Sequence, residues 1–296
     1  MMQRRNIWMW IAFAALVVAV VAFHLMYMRH CSDVARTTAH RALLYRSLGI
    51  HESGKAEFVA LPPETPHRAG AAALGNALFN DKRLVKSSKR MCGVCHPPMS
   101  GGADDKVHAG FLTRSTQNAV FASCYLHDGR LKDLKDVVEY MVSAPELGAF
   151  SVTGAVERLR HDPKMTARFA ANYETGLVAS NVVDALVQRL RARVTPSGAF
   201  DRYLSGAKDA LGEEQISGFT VFKAAACADC HNGPALGGRI VKKGRKVPAL
   251  RGISNRARFL HDGSAEALEA AVASMPAAQK LPEADKKALL AFLGTL

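Results

Sequence analysis

The sequence predicts an all-α protein built from two tandem copies of one helical unit behind an apolar N-terminal segment. Three observations carry this expectation. Ala-, Leu- and Arg-rich stretches with helical spacing recur along the chain, while aromatic residues make up only 7% of it. Residues 7–28 form an uninterrupted apolar run. One phrase is also written twice, as "YLHDGRLKDLKDVVEYM" at 125–141 and "FLHDGSAEALEAAVASM" at 259–275. Its register is constant for the histidines (261 − 127 = 134) and for the closing methionines (275 − 141 = 134).

The composition is that of a folded protein: 49% of the 296 residues are hydrophobic and 22% are charged. The length suits about two domains of ordinary size. A net charge of +13 fits nucleic acid, an anionic membrane surface or an acidic protein partner. The densest basic cluster, "KKGRK" at 242–246, is too short for a nucleic-acid arm, so no nucleic-acid partner is expected.

The N-terminal element is a membrane-anchor candidate over residues 1–30. "MMQRRN" is a basic tip, and "IWMWIAFAALVVAVVAFHLMYM" contains no Asp, Glu, Lys or Arg. That run is long enough to cross a bilayer as a helix, with Trp8, Trp10 and Tyr27 near the two interfaces. A cleaved signal peptide is the alternative, with Val20-Val21-Ala22 as the cleavage site. The apolar run continues through Phe23, Leu25, Met26 and Met28, longer than a signal core needs, which favours the anchor. Arg29, Arg36 and Arg41 on the far side leave the orientation undecided by charge. Residues 31–69 read as a linker.

Four of the six cysteines fall into two identical frames, "CGVCH" at 92–96 and "CADCH" at 227–231. Cys-x-x-Cys-His is the attachment signature of c-type haem. Two thioethers, from Cys92 and Cys95 or from Cys227 and Cys230, hold the porphyrin edge. The following His96 or His231 places an imidazole under the iron. A thioredoxin-like redox pair would not need the histidine twice, and a zinc site would need two further ligands near each pair. The expected cofactors are therefore two covalently bound haem c.

The repeat then acquires a meaning. The proximal histidines precede the repeated ones by similar distances (127 − 96 = 31 and 261 − 231 = 30), and Phe79 and Phe222 precede the two motifs. One haem-binding unit has been duplicated in tandem. After each Leu-His-Asp-Gly, Leu134, Val138 and Met141, and again Leu268, Val272 and Met275, share one helical face. Spacing leaves two readings of each methionine open: a core side chain, or a thioether ligand opposite the proximal histidine that raises the reduction potential. Covalent haem attachment takes place outside the cytoplasm. That sets the anchor with its N-terminus inside and residues 31–296 in the periplasm, where disulfides are permitted. Cys31 and Cys124 fall in neither motif and are assigned no role.

With these motifs in place, the chain from about residue 70 onwards resembles the bacterial diheme cytochrome c peroxidase family, which includes the diheme enzymes that mature methylamine dehydrogenase. The resemblance rests on "LGNALFNDKRL", "CGVCH", "LHDGR", "VERLRHDPKMTARFAANY", "SGAFDRYLSGAKDALGEEQISGFTVF", "CADCH" and "KVPALRGISNRARFLHDGSAEALEAAV". It implies two cytochrome-c-like α domains whose haems face the domain interface: 70–210 with the peroxidatic haem and 211–296 with the electron-transfer haem. It places Met275 at the axial position of the high-potential haem, where the maturation enzymes have a tyrosine. His108 in "VHAGFLTR" matches a loop histidine that caps the peroxidatic haem at rest, and Glu146 in "APELGA" matches the acid/base glutamate, after a one-residue deletion.

The chain departs from the family pattern at three places. His127 stands where a tryptophan usually bridges the haems, and Val137 stands at the distal glutamine. Ser115 replaces an asparagine that helps bind calcium, with Lys246 close to the same place, so the resemblance leaves two occupants open there, calcium or the lysine ammonium. Met141 has no usual counterpart in the family and offers an alternative to His108 as the sixth ligand of the first haem.

The expected function is thus a membrane-anchored periplasmic diheme peroxidase. It would reduce hydrogen peroxide with electrons from an acidic donor, a small cytochrome c or a cupredoxin. Two rival functions stand: a non-catalytic diheme electron-transfer subunit, or an oxidase of a protein substrate. A homodimer is compatible with the sequence.

Overall fold

The computed structural model describes residues 58–144, 149, 151–195 and 198–296. The expected anchor, most of the linker and Glu146 lie outside the described residues. Among the described residues, no helix is long and apolar enough to cross a membrane. The architecture is helix-rich, as predicted, and the only strands among the described residues are two short hairpins.

Each repeat is closed by one helix crossing. In the first, Ala69–Phe79 buries Ala71, Leu74, Leu78 and Phe79, a helical-period stripe. That stripe meets Val182, Val183, Leu186 and Leu190 of Ala179–Arg191. Close approach requires Gly75, where an added Cβ would lie 2.0 Å from the Ala185 carbonyl oxygen. The second repeat crosses Glu213–Ala224 over Glu283–Leu293 in the same way, with Gly218 against the Ala288 carbonyl at 1.8 Å from such a Cβ. Between the paired helices of the first repeat, Leu134–Ser143, Val152–Arg160 and Pro163–Asn172 complete the packing. Asp133, Ser151 and Asp162 cap their N-termini by accepting main-chain N–H bonds, and Pro163 fills the first helical position, where no N–H is needed.

Two apolar clusters result. One gathers Leu74, Leu78, Leu159, Phe169 and Val182. The other is aromatic, with Phe200 edge-on to Phe219 and Phe292, both at 5.0 Å between centroids. Residues 58–61, inside the stretch read as a linker, dock on this second cluster. Phe58 lies 4.9 Å from Phe219, and the Leu61 amide donates to Asp201 Oδ1 at 2.8 Å. Asp201 also forms a buried ion pair with Arg251 at 2.8 Å, and Arg251 Nη2 donates to the Val59 carbonyl at 3.1 Å.

The hairpins tie the two repeats together. Val107–His108 pairs with Phe111–Leu112, and Val241–Lys242 pairs with Arg245–Lys246. Their turn residues, Ala109-Gly110 and Lys243-Gly244, all have positive φ (50° and 82°, 49° and 72°), the twist that closes a two-residue hairpin. Each hairpin reaches across to the other repeat's Leu-His-Asp-Gly turn. The Leu112 amide donates to the His261 carbonyl at 2.9 Å, and the Lys246 amide donates to the His127 carbonyl at 2.7 Å. Val107 packs on Gly263 and Val241 on Gly129, so the glycine of each repeated phrase is where the other repeat's arm lands.

Candidate functional site

At the first motif, Cys92–Cys95 makes one helical turn that delivers His96 at its end. Burial pushes the Cys92 thiol up to about 11 and raises that of Cys95 as well. Neither thiol is therefore activated as a redox or zinc thiolate at neutral pH. His96 is half-buried, and desolvation lowers its pKa while the Gly102 carbonyl works against that effect. Its Nδ1–H donates to that carbonyl at 3.0 Å, which leaves Nε2 as the nitrogen free to ligate. Phe79 lies 6.3 Å from the imidazole, and Arg189 stacks over Phe79 at 3.3 Å with its Nε bonded to Asn76 Oδ1.

At the second motif, a 3-10 turn at Cys227–Asp229 leads to His231. Burial lowers the pKa of His231, although the Leu236 and Pro248 main chain works in the opposite direction. Its Nδ1 is buried and makes no hydrogen bond among the described residues. A cavity opens here, largely apolar in its lining. Cys227, His231 and Met275 line it together, with Phe222, Leu250 and Leu293 among the apolar walls. A buried imidazole, an unactivated thiol and a thioether around one apolar cavity are the groups that a covalent haem needs. The residues fit it.

The remaining predicted residues divide. Met275 shares the cavity with His231, far from it in sequence. Neither repeat methionine is a core side chain: Met141 is 38% and Met275 37% exposed, while Val138, Val142 and Val272 are buried. His108 lies in the first hairpin, its Nε2 2.8 Å from Asp104 Oδ2 and 3.9 Å from Cys95 Sγ. Burial pushes the Asp104 carboxyl up, but hydrogen bonds from His108, Thr113 and the Lys106 amide hold it below its ordinary value. Cys95, Asp104 and His108 have ligand atoms within 4.8 Å of one another, a spacing fit for a metal, but a thioether-forming Cys95 is already committed.

His127 stacks on Phe111 at 4.2 Å, with its Nδ1 buried and unpartnered among the described residues. Burial, then the nearby Arg114 and Lys246, push its pKa down to about 4. Desolvation brings Lys246 down to about 8, with a further contribution from Arg114. Ser115 Oγ donates to the Gly101 carbonyl at 2.5 Å.

Sequence reasoning missed the hairpins and Arg114, which lines the second cavity although it belongs to the first repeat. A signal for the hairpins was present: Val107 and Gly110 recur as Val241 and Gly244 at the spacing of the repeat (241 − 107 = 134). No pattern marks Arg114.

Comparison with known proteins gives the chain a family. The family described as di-haem cytochrome c peroxidase matches residues 69–209, and that of cytochrome C oxidase, cbb3-type, subunit III matches residues 213–293. Cytochrome c551 peroxidase of Nitrosomonas europaea is 32% identical over 271 residues, covering 78% of this chain and 81% of that protein. The chain belongs to the di-haem cytochrome c peroxidase family. It is a peroxidase-type oxidoreductase with two covalently bound haem c.

Two other relatives show the breadth of this family. Cytochrome c peroxidase Ccp of Escherichia coli is 30% identical, covering 80% of this chain and 60% of that protein. Methylamine utilization protein MauG of Methylorubrum extorquens is 29% identical, covering 90% and 89%. Among solved structures, a MauG-like protein associated with microbial copper homeostasis superposes with a TM-score of 0.68 at 20% identity, covering 81% of this chain and 93% of that one. The diheme peroxidase BthA from Burkholderia thailandensis gives 0.63 at 15%, covering 81% and 90%. At these identities the likeness is one of fold.

Proposed function

We propose that this family member reduces hydrogen peroxide to water in the periplasm, held at the membrane by residues 7–28 or released from them by cleavage after Ala22. An acidic small redox protein, a cytochrome c or a cupredoxin, supplies the electrons to its basic body. The observation that carries the reading is the cavity in which Cys227, His231 and Met275 meet, in a chain of the peroxidase family. When bound, the two haems supply the one-electron chemistry that cleaves the O–O bond, and two electrons and two protons convert each peroxide to two waters.

The chain's own residues do the rest. Cys227, Cys230, His231 and Met275 hold the electron-entry haem, and the thioether gives it the higher potential. Cys92, Cys95 and His96 hold the peroxidatic one, with the Gly102 carbonyl fixing the orientation of His96. Glu146 carries a proton from the near to the far peroxide oxygen. His108 would gate that side, and the Asp104 carboxylate bonded to its Nε2 would compete with ligation by that nitrogen. His127, neutral at physiological pH, stands between the sites. Arg114, next to Ser115 in the chain, and Lys246, which feels its charge, are cations that oppose a divalent ion there, so calcium has no part in the proposal.

Glu146→Gln tests the reading. It should keep both haems and bind cyanide, yet lose peroxide turnover by about 10²–10⁴-fold. Unchanged turnover would remove Glu146 from the chemistry. A second reading, a closed electron carrier, is favoured by one observation: Met141 turns off the core as Met275 does, at the same position of the repeat.

A further inference from the structure

We propose that Arg114 is the counter-charge for the carboxylates of the second haem, so that a side chain of the first repeat holds the second repeat's cofactor and raises its reduction potential. Arg114 follows the first hairpin by two residues, where the Leu112 amide is bonded to the His261 carbonyl. That exchange brings Arg114 to the wall of the cavity lined by Cys227, His231 and Met275. Its Nε and Nη2 are buried and have no hydrogen-bond partner among the described residues.

Three arginines line this cavity, and two have their guanidiniums already satisfied. Arg256 is ion-paired with Asp105 and donates to the Thr113 carbonyl at 3.0 Å. Arg258 pairs with Glu266 at 2.7 Å. Arg114 has no carboxylate partner among the described residues, and the acid close by is taken, since Asp105 also accepts from the Ala257 amide. Its titratable surroundings are bases: Arg256, Lys246 and His127. Burial and then Arg256 bring its own pKa down to about 10, so it remains a cation at neutral pH.

A buried planar cation with two free donors in a positive field calls for an anion that accepts in a fork, and a carboxylate is that anion. Leaving such a charge unpaired is strongly unfavourable. Haem brings carboxylates as its only anionic side groups. A fixed cation beside the ring favours the reduced, less positive iron and so raises the potential. The inference rests on assigning this cavity to the haem of Cys227 and Cys230.

The test uses the full-length holoprotein, with haem content by pyridine haemochrome and midpoint potentials by spectroelectrochemical titration between pH 6 and 8. Arg114→Gln should keep two haems but shift the high-potential one downward by at least tenfold in the ferrous-to-ferric ratio at fixed potential, about 59 mV for one electron. The variant's potential should also become pH-dependent, as the unpaired carboxylates titrate, where the wild type is flat. Arg114→Lys, which keeps the charge but not the fork, should recover most of the shift. An unchanged midpoint and pH profile in Arg114→Gln would overturn the proposal. If Arg114→Gln fails to fold, the propionate bending band in resonance Raman decides: it should differ between wild type and Arg114→Lys, and an identical band would overturn the proposal. The cavity assignment is tested apart from this, because Cys227→Ala/Cys230→Ala should remove the high-potential haem whatever Arg114 does.

Discussion

His127 shows how one side chain reports on the seam between the sites. Burial, then Arg114 and Lys246, hold its pKa at about 4, against about 6.5 in the unfolded chain. Between those values the unfolded chain binds the proton and the folded one does not. The folded state therefore loses stability as pH falls from about 6.5 to 4 and keeps it in full above that window. The imidazole is only half-buried, so solvent screening reduces the effect to about 1 kcal/mol. Guanidinium unfolding at pH 7 and pH 4.5 should show the wild type losing about that much more than His127→Gln, and equal losses would place the proton elsewhere. Met275 makes the matching prediction for redox chemistry. Met275→His should lower the high potential and remove the sulfur-to-iron charge-transfer band, since thioether ligation favours ferrous iron. The ligand candidates were legible because haem attachment writes a fixed five-residue phrase and the repeat writes its methionine in register. Arg114 was not legible, because a lone arginine acquires its meaning only when burial strips it of partners.

At the scale of elements, the exchanged hairpins explain why Leu-His-Asp-Gly is written with glycine both times. Gly129 and Gly263 have φ of 71° and 72°, a conformation that L side chains adopt at a cost. Each also receives a valine from the other repeat: a Cβ would lie 2.5 Å from Val241 Cγ2 at Gly129 and 2.9 Å from Val107 Cγ2 at Gly263. Gly263→Ala should cost about 1–3 kcal/mol, from backbone strain and overpacking together. Val107→Ala should return part of that cost, and a double-mutant cycle read by chemical denaturation should give a coupling above about 0.5 kcal/mol. Additive effects would mean that the hairpin does not press on the turn. The helices were legible from their apolar spacing, but strands of two residues are too short for any alternation to show. Only the recurrence of Val and Gly at 107 and 110, and at 241 and 244, betrays them.

At the scale of the whole molecule, the sequence announces two units in tandem but not that each lends an arm to the other. The exchange depends on contacts between residues far apart in the chain, Leu112 with His261 and Lys246 with His127, which no local pattern encodes. Its consequence is that the first site's hairpin, with His108 on one strand, is fastened through the other strand to the second site. The central claim is that the two sites differ, one closed by His231 and Met275 for electrons and one open to peroxide above His96. The direct measurement is the spin state of the half-reduced protein, by electron paramagnetic resonance and optical spectra, with peroxide turnover followed in the same sample. The account predicts a high-spin ferric first haem and turnover. A low-spin first haem without turnover, opened by Met141→Ala and not by His108→Gly, would contradict it and make the protein a carrier of electrons.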